Sequence, residues 1–346
     1  GIAVTIISLL LVRPLLTLLH TDPAVFGGAQ TYLYVQFGGS LIIIAYNMAA
    51  AVLRCLGDSR TPLFAIIAAS FANIALDLLF VMGFGWGIFG ASFATVLAQL
   101  IAFLLCLRSL RRLPFVQLTK ADWKTDPAIL LHLCRLGIPT GLQMSMITLG
   151  GMVLQSVLNG FGVVFVAGYT AANKLYGILE SASVAFGYAM TAYMGQNRGA
   201  GNAARIDAGI RAVLTLSAGF TAAIVTAMLL AGKPLLGLFL STEEAGAADA
   251  LAVAYQYLMV LMAFLFALFM LQAYRSSLQG LGEMTVPTLS GFAEMLMRMG
   301  AALVLPTFIG QSGVFFAEGA AWVCAAALNL VWYYMRIGKI KREMLQ

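Results

Sequence analysis

Apolar runs of about 20 residues recur from one end of this chain to the other, each long enough to cross a bilayer as a helix. In hydrocarbon every backbone N–H and C=O must be satisfied within its own segment, so such runs have one practical solution, the α-helix. Ten segments can be drawn, near residues 1–20, 29–56, 61–84, 87–109, 129–156, 162–194, 206–231, 247–281, 286–308 and 313–338. Short stretches such as Gly57-Asp58-Ser59-Arg60-Thr61-Pro62 and Gly195-Gln196-Asn197-Arg198-Gly199 separate them. Composition agrees: 61% of residues are hydrophobic and 10% charged, against roughly 25% charged in a soluble domain. The sequence predicts an all-α polytopic membrane protein of about ten transmembrane helices.

In such a chain the net charge of +6 reports topology and gives no sign of nucleic-acid binding. Arg54 and Arg60 flank one loop; Arg108, Arg111, Arg112, Lys120, Lys124 and Arg135 crowd the one long polar connector. Arg198, Arg205 and Arg211 mark a third site, and Arg336, Lys339, Lys341 and Arg342 the tail. All lie at alternate helix ends, so the connector and the C-terminus are predicted to be cytoplasmic, in a cell inner (plasma) membrane. The four cysteines are scattered without metal-like or redox-like spacing and read as packing residues.

The least expected residues lie between Ser70 and Phe80, where Asn73 and Asp77 interrupt an apolar run. A spacing of four places both on one helical face. A carboxylate at membrane depth is costly and by default lines a cavity or ion path. Asn47 and Thr95 stand at comparable depth in the flanking segments, and the four read as one polar cluster shared by three helices. Apolar surroundings favour the protonated acid and a nearby cation favours the ionised one, so proton and cationic ligand would compete there. The alternative is that Asp77 is a hydrogen-bonded anchor and the amides and hydroxyl mere interhelical links.

Direct comparison reveals a repeat. Leu56-Gly57-Asp58…Pro62 recurs 225 residues later as Leu281-Gly282-Glu283…Pro287, and Tyr32-Leu33 recurs at the same offset as Tyr257-Leu258. Gly87-Ile88-Phe89 matches Gly313-Val314-Phe315, and Pro14-Leu15-Leu16 matches Pro234-Leu235-Leu236. Residues 130–220 find no partner upstream. Six helices per half is the simplest reading, so the first half is expected to lack two helices and part of a third. An even number gives both halves one orientation, a parallel repeat.

These motifs, with Asn73-Ile74-Ala75-Leu76-Asp77, Gly87-Ile88-Phe89-Gly90-Ala91-Ser92-Phe93-Ala94-Thr95, Gly137-Ile138-Pro139 and Gly195-Gln196-Asn197-Arg198-Gly199-Ala200, resemble the multidrug and toxic compound extrusion (MATE) transporters of bacterial type. The resemblance runs through the whole chain, from that family's third helix to its twelfth. It implies two six-helix lobes, here residues 1–112 and 129–346 joined by a cytoplasmic connector at 113–128. It also implies export of cationic amphipathic small molecules by antiport with H⁺ or Na⁺, through alternating access, by a monomer with no cofactor beyond the coupling ion. Asn47, Asn73, Asp77 and Thr95 fall on the pattern of the proton-coupled members. The carboxylates of the sodium-coupled branch are replaced by Ile147 and Leu268.

Beyond that cluster, Ser70 and Gln99 lie one turn from Asn73 and Thr95 and are candidates for lining a substrate cavity. In the second half Gln143, Tyr169, Asn173, Tyr176 and Arg275 are further substrate-binding candidates, amides and ring faces being suited to flat cations. Helix packing is the competing reading of each. Lys174 and Glu180 are six apart, too far for a same-face pair, whereas Glu294 and Arg298 have the spacing of an intrahelical ion pair. No phosphate-binding loop, clustered aspartates or hydrolase constellation occurs in the sequence, so the chain is expected not to be an enzyme. The alternative from the same architectural plan is a flippase for lipid-linked saccharides or other lipids.

Overall fold

The computed structural model describes residues 1–18, 22–113, 126–240 and 246–344. Among these the elements are α1 (Ile2–Leu18), α2 (Pro23–Gly38), α3 (Ser40–Cys55), α4 (Arg60–Asp77), α5 (Gly87–Arg111), α6 (Pro127–Leu158), α7 (Val163–Gly199), α8 (Ala203–Gly237), α9 (Ala247–Gly280), α10 (Thr285–Ile309) and α11 (Phe316–Met344). The fold is all-α and polytopic. Most of the predicted connector, with Lys120 and Lys124, lies outside the described residues.

The helices follow the predicted segments, with informative differences. Segment 29–56 is two helices bent by 46° at Gly39. A Cβ at Gly39 would sit 2.5 Å from a Val96 methyl, so the bend falls where α5 crowds the backbone. Among the described residues, seven helices are long and apolar enough to span a membrane, or eight if the bent pair counts as one. Of the others, α1 is apolar but only 17 residues long. α7 runs for 37 residues, with Asn173, Lys174 and Glu180 interrupting its apolar course. Outward faces are apolar, as lipid contact requires: Phe71, Met82, Leu230 and Phe308 are all more than two-thirds exposed.

The chain divides into two compact units, residues 1–124 and 125–346. In the first, α5 packs on α2, α3 and α4, and its core sets six alanines, Ala49, Ala50, Ala65, Ala69, Ala98 and Ala102, among Tyr46, Leu53, Cys106 and Leu110. Small side chains let helix backbones approach closely where no hydrophobic effect drives association. In the second, α9 packs on α7, α8 and α11, and α10 on α6 and α11. Its core is larger and aromatic, around Tyr257, Phe269, Phe315 and Trp322.

The repeat is visible as backbone geometry. After α3, Asp58 N–H donates to the Leu53 carbonyl and Gly57 N–H to that of Arg54; after α9, Glu283 N–H donates to Leu278 and Gly282 N–H to Gln279. Both turns are Schellman caps, and both glycines take positive φ, 90° and 75°. The equivalent residues then diverge. Glu283 pairs with Arg336 at 2.9 Å, whereas Asp58 opens α4, accepting from the Arg60 and Thr61 N–H groups at 3.1 and 3.0 Å and from Thr61 Oγ1 at 2.6 Å.

Those bonds, the Thr61 hydroxyl foremost, hold the Asp58 carboxyl below its ordinary value. A lowered folded-state value means that the stabilisation is complete above the unfolded value and lost as pH falls through the folded one, below about pH 4. Asp58→Ala is expected to cost about 1 kcal/mol near neutral pH, within the range for lost caps and limited by solvent screening. The difference in thermal stability from wild type should shrink on acidification below that point; a constant difference would contradict the assignment.

Candidate functional site

In the N-terminal unit, the predicted acid closes α4. The six residues after Asp77, Leu78–Gly83, form a π-helical turn, a rare widening often found at functional positions. An aromatic cluster braces it: Phe80 stacks on Trp86 at 5.1 Å and lies 5.9 Å from Phe93, while Trp86 N–H donates to the Phe80 carbonyl. On α4 and α5, three polar atoms are shut from solvent without a hydrogen-bond partner among the described residues: Asn73 Nδ2, Asp77 Oδ1 and, midway along α5, Gln99 Oε1. One donor and two acceptors left unsatisfied in one small unit is costly. A proton on Asp77 or a bound cation would serve the two acceptors, and a water would serve donor and acceptors alike.

The remaining candidates are satisfied locally. Thr95 Oγ1 donates to the Ala91 carbonyl at 3.1 Å, Ser70 Oγ to Ile66 at 2.8 Å, and Asn47 Nδ2 to Ile43 at 2.9 Å. Asn47 and Ser70 lie on exposed faces of α3 and α4. No hydrogen bond joins Asn47, Asn73, Asp77 and Thr95 to one another among the described residues.

The C-terminal unit holds a buried ionic chain. Arg275 on α9 meets Glu294 on α10 at 2.6 Å. Glu294 meets Arg298 one turn on at 3.0 Å, and Arg298 meets Glu318 on α11 at 2.7 Å. Arg298 also donates to the Ile147 carbonyl on α6 at 3.0 Å, which ties a fourth helix to the chain. Arg275, Glu294 and Arg298 are each about 5% exposed or less. Nearby, the buried Gln143 accepts from Gln279 Nε2 at 3.0 Å, while its own Nε2 has no partner.

The spacing of Glu294 and Arg298 predicts their pair, but the flanking Arg275 and Glu318 come from helices distant in sequence. Glu318 is missed by sequence reasoning; its only signal is being a lone acid in an apolar run. Tyr169 and Tyr176 are buried, with ring faces already occupied. Tyr169 stacks on Tyr257 at 4.4 Å, their hydroxyls 3.1 Å apart, and Tyr176 on Trp322 at 5.4 Å. Asn173 is exposed on α7.

Two helical units carrying an internal sequence repeat, with polar and ionic groups sunk in both, form the background for comparison with known proteins. The model of the MatE family matches residues 1–79 and 139–304. The chain belongs to the MatE family. It is 35% identical to the probable multidrug resistance protein YpnP of Bacillus subtilis, over 96% of this chain and 73% of that protein. The Staphylococcus aureus multidrug export protein MepA is 22% identical, over 97% of this chain and 74% of its own length. Among solved structures, a MATE protein in complex with MaL6 superposes with a TM-score of 0.90, at 24% identity, over 99% of this chain and 77% of that one. An outward-facing multidrug resistance MATE transporter gives 0.90 and 24%, over 99% and 76%. These likenesses establish a MATE fold, and the family is one of multidrug efflux transporters rather than enzymes. They do not favour the flippase alternative.

Proposed function

We propose that this MatE-family chain serves secondary-active export of amphipathic organic cations by proton antiport, with Asp77 as the coupling carboxylate. The observation that carries the reading is the unsatisfied trio Asn73 Nδ2, Asp77 Oδ1 and Gln99 Oε1 on α4 and α5, with the π-turn following Asp77 directly. A protonated Asp77 carries a donor and no charge; an ionised Asp77 attracts a cation. One carboxylate that cannot hold both couples inward proton flow to outward substrate flow, provided that access alternates between the two sides. Asn73, Asn47 and Thr95 are assigned to this ion-coupling region, and Ser70, Gln99, Gln143, Tyr169, Asn173, Tyr176 and Arg275 remain the assignment for substrate contact. Within that assignment, exposed Asn173 is better placed for direct contact than the stacked tyrosines, and Arg275 would act through its ion pair. The exporter is assigned to the plasma membrane as a monomer with a cytoplasmic C-terminus.

The test is uptake of ethidium into inside-out vesicles carrying the full chain, driven by a pH gradient or, separately, by a sodium gradient. Wild type should respond to the pH gradient, and Asp77→Asn should fall to the vesicle background while keeping wild-type thermal stability. Transport by Asp77→Asn at the wild-type rate removes Asp77 from the mechanism; a response to sodium alone removes the proton.

A further inference from the structure

The basic ends of the two units are built on equivalent turns but are neutralised differently. In the second, Glu283 pairs with Arg336 and Asp207 with Lys341, and Lys339 lies 3.8 Å from Glu343. Among the described residues, the corresponding end of the first unit sets Arg54, Arg60, Arg108, Arg111 and Arg112 against one acid, Asp58. That acid spends its carboxylate on the Arg60 and Thr61 N–H groups and the Thr61 hydroxyl. Arg108 and Arg112 are exposed, and no acid among the described residues pairs with either. The local field is therefore positive.

Between α4 and α5 this end opens into a groove of about 530 Å³. Phe64, Ile67, Ala68 and Leu105 give it an apolar wall, and Thr61, Arg108, Ser109 and Arg112 line it nearest the helix ends. The two arginines are four apart and share a face of α5. Thr61 Oγ1 and Ser109 Oγ stand 3.5 Å apart across the helix pair. Thr61 gives its proton to Asp58, which leaves the Ser109 hydroxyl as a donor. An apolar wall that ends in guanidiniums and a hydroxyl complements an acyl chain that ends in a phosphate.

The repeat supplies a comparison within the same chain. At its offsets of 225 and 226, Thr61, Phe64 and Leu105 correspond to Val286, Leu289 and Val331. Those three line a groove of about 490 Å³ between α10 and α11, and no charged residue lines it. Tyr334 and Gly338 stand at the positions of Arg108 and Arg112. The groove thus belongs to the architecture, and its arginines to the first unit alone. In the second unit α6 leaves the groove open, because it meets α10 at Gly291 and Met295, on the side of the helix away from Leu289.

We propose that the α4–α5 groove is a binding site for an anionic phospholipid. Arg108, Arg112 and Ser109 hold the phosphate, and the acyl chain lies along Phe64, Ile67, Ala68 and Leu105. A zwitterionic lipid fits the apolar wall equally well but brings its own cation towards the arginines, so headgroup charge sets the preference. The groove on α10 and α11 accepts chains without that preference. Placing the lipid in the cytoplasmic leaflet rests on the topology proposed above; the site itself does not.

The experiment is native mass spectrometry of the purified full chain in detergent with equal amounts of phosphatidylglycerol and phosphatidylcholine of the same acyl chains. Wild type should retain phosphatidylglycerol in preference. Arg108→Gln and Arg112→Gln should each reduce that preference about fivefold, the electrostatic worth of one basic residue near an anionic lipid surface. Ala68→Phe, which fills the groove and changes no charge, should also reduce the phosphatidylglycerol retained. Equal retention of both lipids by wild type overturns the proposal, as does an unchanged preference in the double arginine variant. Retention unaltered by Ala68→Phe overturns it too, since the arginines then act only as diffuse surface charge. So does an equal loss in Arg205→Gln, at an exposed arginine outside the groove. Should the arginine variants fail to fold, wild type decides. Phosphatidylglycerol with a diazirine in its chain must label residues 64–68 or Leu105, and labelling confined to other segments overturns the proposal. These readouts measure lipid binding alone, so failure of the Asp77 mechanism leaves them untouched.

Discussion

Arg298→Ala is expected to unfold the C-terminal unit at temperatures where wild type is stable. The guanidinium serves Glu294, Glu318 and the Ile147 carbonyl at once, and it is 4% exposed. Removing one partner of a buried ion pair costs about 3–5 kcal/mol, chiefly because the survivors are left charged without compensation. Here Glu318 would lose its ion-pair partner and Glu294 one of two. Arg298→Lys should recover little, since one ammonium cannot reproduce a planar fork that reaches three acceptors. Arg298→Met combined with Glu318→Met should recover much of the loss, because the pair is then replaced by apolar groups rather than broken. Thermal unfolding of the purified full chain, followed by loss of the monodisperse peak after heating, measures all three. Equal stability of Arg298→Ala and wild type would mean that the network is not formed.

Gly168→Val and Gly280→Val should be nearly as damaging, for a steric reason. At Gly168 a Cβ would lie 2.4 Å from the Ala250 carbonyl oxygen, and at Gly280 2.5 Å from that of Thr191. Both obstacles are backbone, so α7 and α9 would have to separate along the interface that organises the unit. Overpacking of this kind costs about 1–3 kcal/mol, and the upper end is expected because neither helix can yield locally. Gly187 is a milder case: its obstacle is the rotatable Ser276 hydroxyl, at 2.8 Å. Gly177, with open space around its Cβ position, is the control. There Ala should be neutral or stabilising by up to about 1 kcal/mol, the helix-propensity gain. Thermal stability of the four variants should fall into that order, and a destabilising Gly177→Ala would remove packing as the cause.

The N-terminal candidate site was more legible in sequence than the C-terminal one. Asp77 and Asn73 declare themselves because a carboxylate and an amide four apart in an apolar run share a helical face whatever packs against it. The same rule paired Glu294 with Arg298. It could not supply Arg275 or Glu318, which reach the pair from α9 and α11 across the bundle. Nor could it show that Tyr169 and Tyr176 spend their ring faces on Tyr257 and Trp322.

By itself the sequence determined the membrane class, the helical segments, the repeat and the acid of the first unit. These follow from hydrocarbon length, local periodicity and self-comparison, each a property of residues near one another in the chain or of the chain set against itself. The tertiary structure alone decided the bend at Gly39, the π-turn after Asp77 and the four-membered ionic chain. Each depends on the register at which one helix meets another. That register is set by where small residues allow backbones to touch and where polar groups find partners, which no single segment encodes.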